Sequence, residues 1–197
     1  MFSTACLLDA ILLLAMCDEI DPRQYWTQVK FPRLRGKNLL AQDFFEETSF
    51  DVCNSKFDLI VGNAPWGKGL MTDCAQRWAD LHRWRPANNE IGTLFLPRAA
   101  SLAKDGALVC MIQPAGALLF NRTSFAQKYR RRLFTDFAVS EVANLSALRF
   151  DLFANSMAPS CLVTLRVQAP AVDDQILYYS VKPGELADGE RILLEAR

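Results

Sequence analysis

Apolar residues fall along this chain in blocks whose spacing changes from stretch to stretch. From Ala5 to Asp18, the residues Leu7, Leu8, Ile11, Leu12, Ala15 and Met16 share one broad face at helical spacing, so the run predicts a buried helix. Asp21-Pro22 ends it. Residues 23–36 carry Pro, Arg and Gly and read as a connection. Asn38–Gln42 and Phe57–Gly62 are apolar without alternation, which predicts strands buried on both faces of a parallel sheet. Residues 67–88, rich in Gly, Trp, Arg and Asn, predict an irregular segment with one short helix. Asn89 reads as the N-cap of a helix over Glu90–Lys104, stopped by Asp105-Gly106. Ala107–Gln113 is the next buried strand, ended by Pro114. Thr123 or Ser124 caps a helix with Phe125, Tyr129 and Leu133 on one side. Ser140–Leu145, Cys161–Val167 and Ile176–Val181 read as further strands. This alternation predicts an α/β fold with a mainly parallel sheet. Chemistry in such sheets sits just past the carboxyl ends of strands, where Asp43, Asn63–Trp66 and Pro114 all fall.

Bulk numbers narrow the class. At 197 residues and 51% hydrophobic, the chain can build a real core. Lys+Arg and Asp+Glu both count 22, so the net charge is zero, which weighs against autonomous DNA binding despite the local cluster Arg130-Arg131-Arg132. The Ala5–Met16 run has no basic residue ahead of it, is interrupted by Asp9 and is too short to cross a bilayer. Six cysteines, none in a C-x-x-C pair, and a single His offer no zinc set; they read as scattered thiols in a reducing cytoplasm.

The informative stretch is Phe57-Asp58-Leu59-Ile60-Val61-Gly62-Asn63-Ala64-Pro65-Trp66-Gly67. A buried strand delivers Asn63 to its end, followed by a stiff turn and an aromatic ring. Read alone, this is either a polar corner built for a ligand or an ordinary Asn-x-Pro turn with Trp66 as an anchor. It resembles motif IV of the N6-adenine DNA methyltransferases, in which Asn or Asp, Pro, Pro and an aromatic end the fourth strand. Ala64 stands where that pattern has its first Pro; it keeps the backbone carbonyl and loses the ring that fixes φ. Other segments follow in family order. Leu39–Phe45 resembles motif III, the segment Leu94–Pro114 resembles the helix, turn and fifth strand, and Phe150–Asn155 resembles motif VIII.

The resemblance, nearest the γ group, implies a partial Rossmann-like S-adenosylmethionine-dependent methyltransferase fold, mainly parallel with an antiparallel last strand. It implies catalytic roles for Asn63, Ala64, Pro65 and Trp66, with Trp66 and Phe153 packing against a flipped adenine. Asp43 and Phe44 are implied to hold the cofactor's adenine, and no metal is implied. The family's motif I, a Gly-rich turn around the methionine part of the cofactor, has no counterpart before residue 38. The first two strands are therefore expected to be missing, leaving open sheet edges and a marginally stable or aggregating isolated chain. Residues 1–170 are expected to form the partial catalytic domain and 171–197 an extension. The implied partners are double-stranded DNA and an upstream polypeptide or separate chain carrying motif I, with no membrane. Three alternatives stand beside this reading: one part of a split enzyme, a non-catalytic scaffold or nucleic-acid-binding subunit, and a small-molecule methyltransferase.

Overall fold

The computed structural model describes residues 40, 42–47, 56–65, 67, 69–152, 158–183 and 194–196. The chain divides into two compact units, Met1–Gln42 and Asp43–Arg197, and the second carries the sheet. The predicted helix over 5–18 lies outside the described residues, as does all of the 38–42 strand except Leu40 and Gln42.

The elements in chain order are β1 (Phe57–Asn63), α1 (Asp73–Leu81), α2 (Gly92–Leu102), β2 (Ala103–Pro114), α3 (Ser124–Asp136), β3 (Ala138–Asn144), α4 (Arg149–Leu152), β4 (Ser160–Arg166), β5 (Leu177–Pro183) and β6 (Leu194–Ala196). They build one six-stranded sheet in the order β1-β2-β4-β3-β5-β6. β1 runs parallel to β2, and β3 parallel to β5. β4 lies antiparallel between β2 and β3. The methyltransferase fold implied by the resemblance orders its sheet 3-2-1-4-5-7-6 with strand 7 reversed, and β1, β2, β4 and β3 match its 4-5-7-6 half. β6 adds a second reversed strand at the far edge.

The two faces of the sheet differ. Paired residues share a face, and alternate residues along a strand change face. Val109, Met111, Cys161, Val163 and Leu165 lie on one side and are buried. They form one cluster with Leu94, Leu96 and Ala99 of α2 and Tyr129 and Leu133 of α3. On the other side, Leu59 and Val61 of β1 are 58% and 70% exposed. Among the described residues β1 has a neighbour on one side alone, so it is an open apolar edge of the kind that invites further pairing.

Three local expectations are corrected. Asn89 does not cap a helix. It sits at φ +57° in a 3-10 turn over Ala87–Asn89, whereas a cap needs extended backbone, and α2 starts at Gly92. Asp105-Gly106 is not the helix stop, because α2 ends at Leu102 and β2 starts at Ala103. Gly106, at φ +77°, instead absorbs an irregularity inside β2 and donates its N–H to the Val167 carbonyl at 2.9 Å. On α3 the buried stripe is Ala126, Tyr129 and Leu133, and Phe125 is turned outward. A helix advances about 100° per residue, so an apolar stripe set by 126, 129 and 133 leaves 125 off the seam. Thr123 caps α3 as expected, its hydroxyl accepting from the Ala126 N–H.

Burial leaves a pH signature. It pushes the Cys161 thiol up to about 12, and it raises the Tyr129 phenol, with Cys161 adding to that shift. Both groups hold their protons in the folded chain after the unfolded chain has begun to release them. The Cys161 contribution is complete below about pH 9 and declines as pH rises toward 12, and the Tyr129 contribution declines in the same direction from about pH 10 upward. Urea unfolding at pH 8 and pH 10.5 should show this decline, and Cys161→Ala should flatten it.

Candidate active site

The carboxyl end of β1 is built as a crowded corner. Asn63 stands opposite Ile112 in the parallel register. The Ala64 N–H continues the ladder by donating to the Ile112 carbonyl at 3.2 Å. In this register the next donor, toward the Ala64 carbonyl, is the N–H of residue 114. Residue 114 is Pro and has none. The Ala64 carbonyl therefore accepts no hydrogen bond among the described residues, although Ala64 itself is 2% exposed. The Asn63 side chain is exposed and is likewise unbonded among the described residues. Among the described residues, two polar acceptors of consecutive residues thus stand unused where a strand meets a turn.

A glycine permits the corner. A Cβ on Gly92, the first residue of α2, would lie 3.0 Å from the Pro65 carbonyl and 3.1 Å from the Pro114 ring. The turn after β1, the start of α2 and the end of β2 therefore close on one point that holds no side chain. Beneath it, Gln113 and Ser160 are buried at strand ends, and the Gln113 side-chain nitrogen and Ser160 hydroxyl have no partner among the described residues.

The 43–47 segment is held from a different direction. An Asp43 carboxylate oxygen accepts from the Phe45 N–H at 2.9 Å. Phe44 stacks on Phe95 of α2 at 4.9 Å, and Phe45 is buried edge-on to the same ring. The anchor is Arg98, 4% exposed, which donates to the carbonyls of Phe44 at 3.1 Å and Glu46 at 3.3 Å. The guanidinium thus meets carbonyls that no described strand satisfies.

Of the site residues implied by the sequence, Asn63, Ala64 and Pro65 come together at the corner, and Asp43 and Phe44 lie in the Arg98-held segment. Among the described residues, the two groups share no backbone hydrogen bond and no ring contact. Trp66 and Phe153 lie outside the described residues. A hollow of about 530 Å³ is walled by Phe45, Trp78, Arg77 and Arg98 and takes no wall from the corner. Sequence reasoning misses Gly92 and Arg98. A lone glycine opening a helix and a lone arginine inside Leu94–Ala100 are the signals it had to work with.

A half-sheet in 4-5-7-6 order with its reversed strand between two parallel ones is that of the Rossmann-like methyltransferase class of α/β fold. The Eco57I restriction-modification methylase family matches residues 15–150, and the chain belongs to that family. No curated protein matches it. Among solved structures, a chain of a type I R-M system superposes with a TM-score of 0.54 at 22% identity, over 78% of this chain and 29% of that one. The type I restriction-modification system methyltransferase subunit from Streptococcus thermophilus gives 0.54 at 17% identity, over 74% of this chain and 32% of its own. The chain thus spans about a third of the length of these structural relatives.

Four substitutions test the scaffolding. Gly92→Ala should cost about 1–3 kcal/mol in urea unfolding, because both neighbours are backbone or ring atoms. Gly116→Ala, with nothing within 4 Å of its Cβ, should stay within about 0.5 kcal/mol of the parent. Arg98→Met should lose about 2–3 kcal/mol as two carbonyls lose a charged donor. Arg98→Lys should recover less than half of that, since one ammonium replaces a planar fork.

Proposed function

We propose that this chain is part of a DNA adenine-N6 methyltransferase, which moves a methyl group from S-adenosylmethionine to the exocyclic amine of an adenine flipped out of the duplex. The observation that supports this best is the pair of unused acceptors, the Asn63 side chain and the Ala64 carbonyl.

The chemistry needs such a pair. Adenine's amino nitrogen shares its lone pair with the ring and is a poor nucleophile. Asn63 Oδ1 and the Ala64 carbonyl would each accept one of its two N–H groups and draw it toward tetrahedral geometry. The same dipoles would face the positive charge that builds on nitrogen as the new bond forms. Holding nucleophile and methyl in line supplies much of the rate. Pro65 stiffens the turn, and Trp66 and Phe153 would sandwich the base, worth roughly 1–3 kcal/mol per stacked ring. S-adenosylmethionine supplies an electrophilic methyl when bound. Among the described residues Asp43 retains a second carboxylate oxygen that would face that cofactor's adenine amine, and Phe44 has one face taken by Phe95. These residues fit one end of the cofactor; a Gly-rich strand–turn on an upstream polypeptide or partner chain would complete the site.

A second reading, a non-catalytic scaffold or nucleic-acid subunit of a restriction–modification assembly, is favoured by Ala64 in place of Pro and by the zero net charge. Methyl incorporation into DNA separates the two. In the assembled enzyme Asn63→Ala should lower it by about a hundredfold or more. Pro114→Ala should also lower it, because a backbone N–H at 114 can occupy the Ala64 carbonyl, while stability holds or rises by about 1 kcal/mol. Unaltered methylation in Asn63→Ala would overturn the catalytic assignment, and no methylation in any assembly would favour the scaffold.

A further inference from the structure

A second feature is charged rather than polar. α1 ends in a tight reversal: the Arg83 N–H donates to the Asp80 carbonyl at 3.2 Å, and the Trp84 N–H to the Ala79 carbonyl at 2.8 Å. This is a Schellman stop, and Arg83 fills its left-handed position at φ +56°. Glycine fits that position without strain, and a side chain there is a local penalty. Residues held in such conformations cluster at functional sites.

The reversal faces α3 across a cleft of about 440 Å³. Arg83 and Arg85 stand on one wall, Lys128 and the exposed ring of Phe125 on the other, and Trp84 and Tyr129 form the floor. Arg132 joins the walls. It donates to the carbonyls of His82 and Arg83 at 3.1 and 2.6 Å, stacks on Trp84 at 3.9 Å, and pairs with Asp136 at 3.0 Å. Its charge is thereby committed to structure. No salt bridge among the described residues involves Arg83, Arg85 or Lys128. No carboxylate, amide or aliphatic hydroxyl among the described side chains lines the cleft.

We propose that this cleft binds backbone phosphates of a DNA duplex, with Arg83, Arg85 and Lys128 as the neutralising cations. The lining explains the choice. Three cations from two elements, none paired with a carboxylate among the described residues, suit a line of anions, and no described side-chain carboxylate or amide stands in the walls to read a base edge, the Tyr129 hydroxyl being buried in the floor. Phe125 offers an apolar surface to the carbons of a deoxyribose. The site anchors DNA without selecting sequence, and it concentrates positive charge in a chain whose net charge is zero. The choice of DNA as partner rests on the function proposed above; the cleft itself does not.

The test is duplex binding by the full chain, read by fluorescence anisotropy between about 50 and 200 mM salt without cofactor. Each phosphate contact adds about 0.9 to the slope of log affinity against log salt. Arg83→Gly and Lys128→Gln should each weaken binding and reduce the slope by about 1, and together by about 2. Arg83→Gly removes the cation and relieves the left-handed strain, so its urea midpoint should equal or exceed the parent's, which separates lost binding from lost folding. Arg131→Gln, the same charge removed outside the cleft, should leave the slope unchanged. No duplex binding by the parent at the lowest salt, or an unmoved slope in the double variant, overturns the proposal. So does a polyglutamate chain or an anionic vesicle that binds as tightly and loses binding in the same variants. Because no methyl transfer is read, an inactive corner with an intact slope would sink the proposed reaction and leave this site standing.

Discussion

The polar corner depends on a hydrogen bond that cannot form. A parallel ladder would carry the Ala64 carbonyl onto the N–H of residue 114, and Pro114 withdraws that donor. A carbonyl buried at a strand end without a partner is unfavourable in isolation. It becomes an asset if a ligand's N–H completes it. Pro65 contributes a related stop on the opposite side, since residue 65 faces away from β2 in this register and offers no N–H to a strand beyond. The acceptor pair is thus created by removing donors rather than by adding acceptors.

The rest of the fold keeps that vacancy in place without filling it. Gly92 lets α2 begin against the Pro65 carbonyl, and α2 then packs on the buried face through Leu94, Leu96 and Ala99. The same helix carries Arg98, which holds the 43–47 segment by its backbone. One helix therefore supports both groups of residues implied by the methyltransferase resemblance. The helix before it hands its last turn to Arg132, so α1 and α3 are tied by carbonyls and a cation–aromatic stack.

Much of this is legible in the sequence, and the reason is physical. Apolar runs without helical spacing mark strands, so β1, the outer half of β2, β3 and β4 fall within about three residues of their expected bounds, but the expected burial on both faces fails for β1, which lies exposed at the edge. Asn63, Ala64 and Pro65 are legible because polar residue, turn and proline follow a strand directly. The misses share a cause: they depend on tertiary neighbours. Asn89 has the composition of a cap, and the approach of Pro65 and Pro114 to Gly92 accompanies a later helix start. Asp105-Gly106 has the composition of a stop, and β4 recruits it into a ladder. Phe125 fits a stripe, yet the seam falls one residue on. Gly92 and Arg98 are single letters whose meaning lies in residues about 27 and 54 positions away.

The strand that carries the corner is the outermost one described, with no described strand beyond its free edge and with Leu59 and Val61 bare on one face. Geometry at a rim is governed by whatever lies beside the rim. A polypeptide docking there would stiffen the hinge from which Asn63 is presented, so assembly and competence would arrive in the same event. Such an arrangement would make the state of the corner depend on whether the edge beside it is occupied.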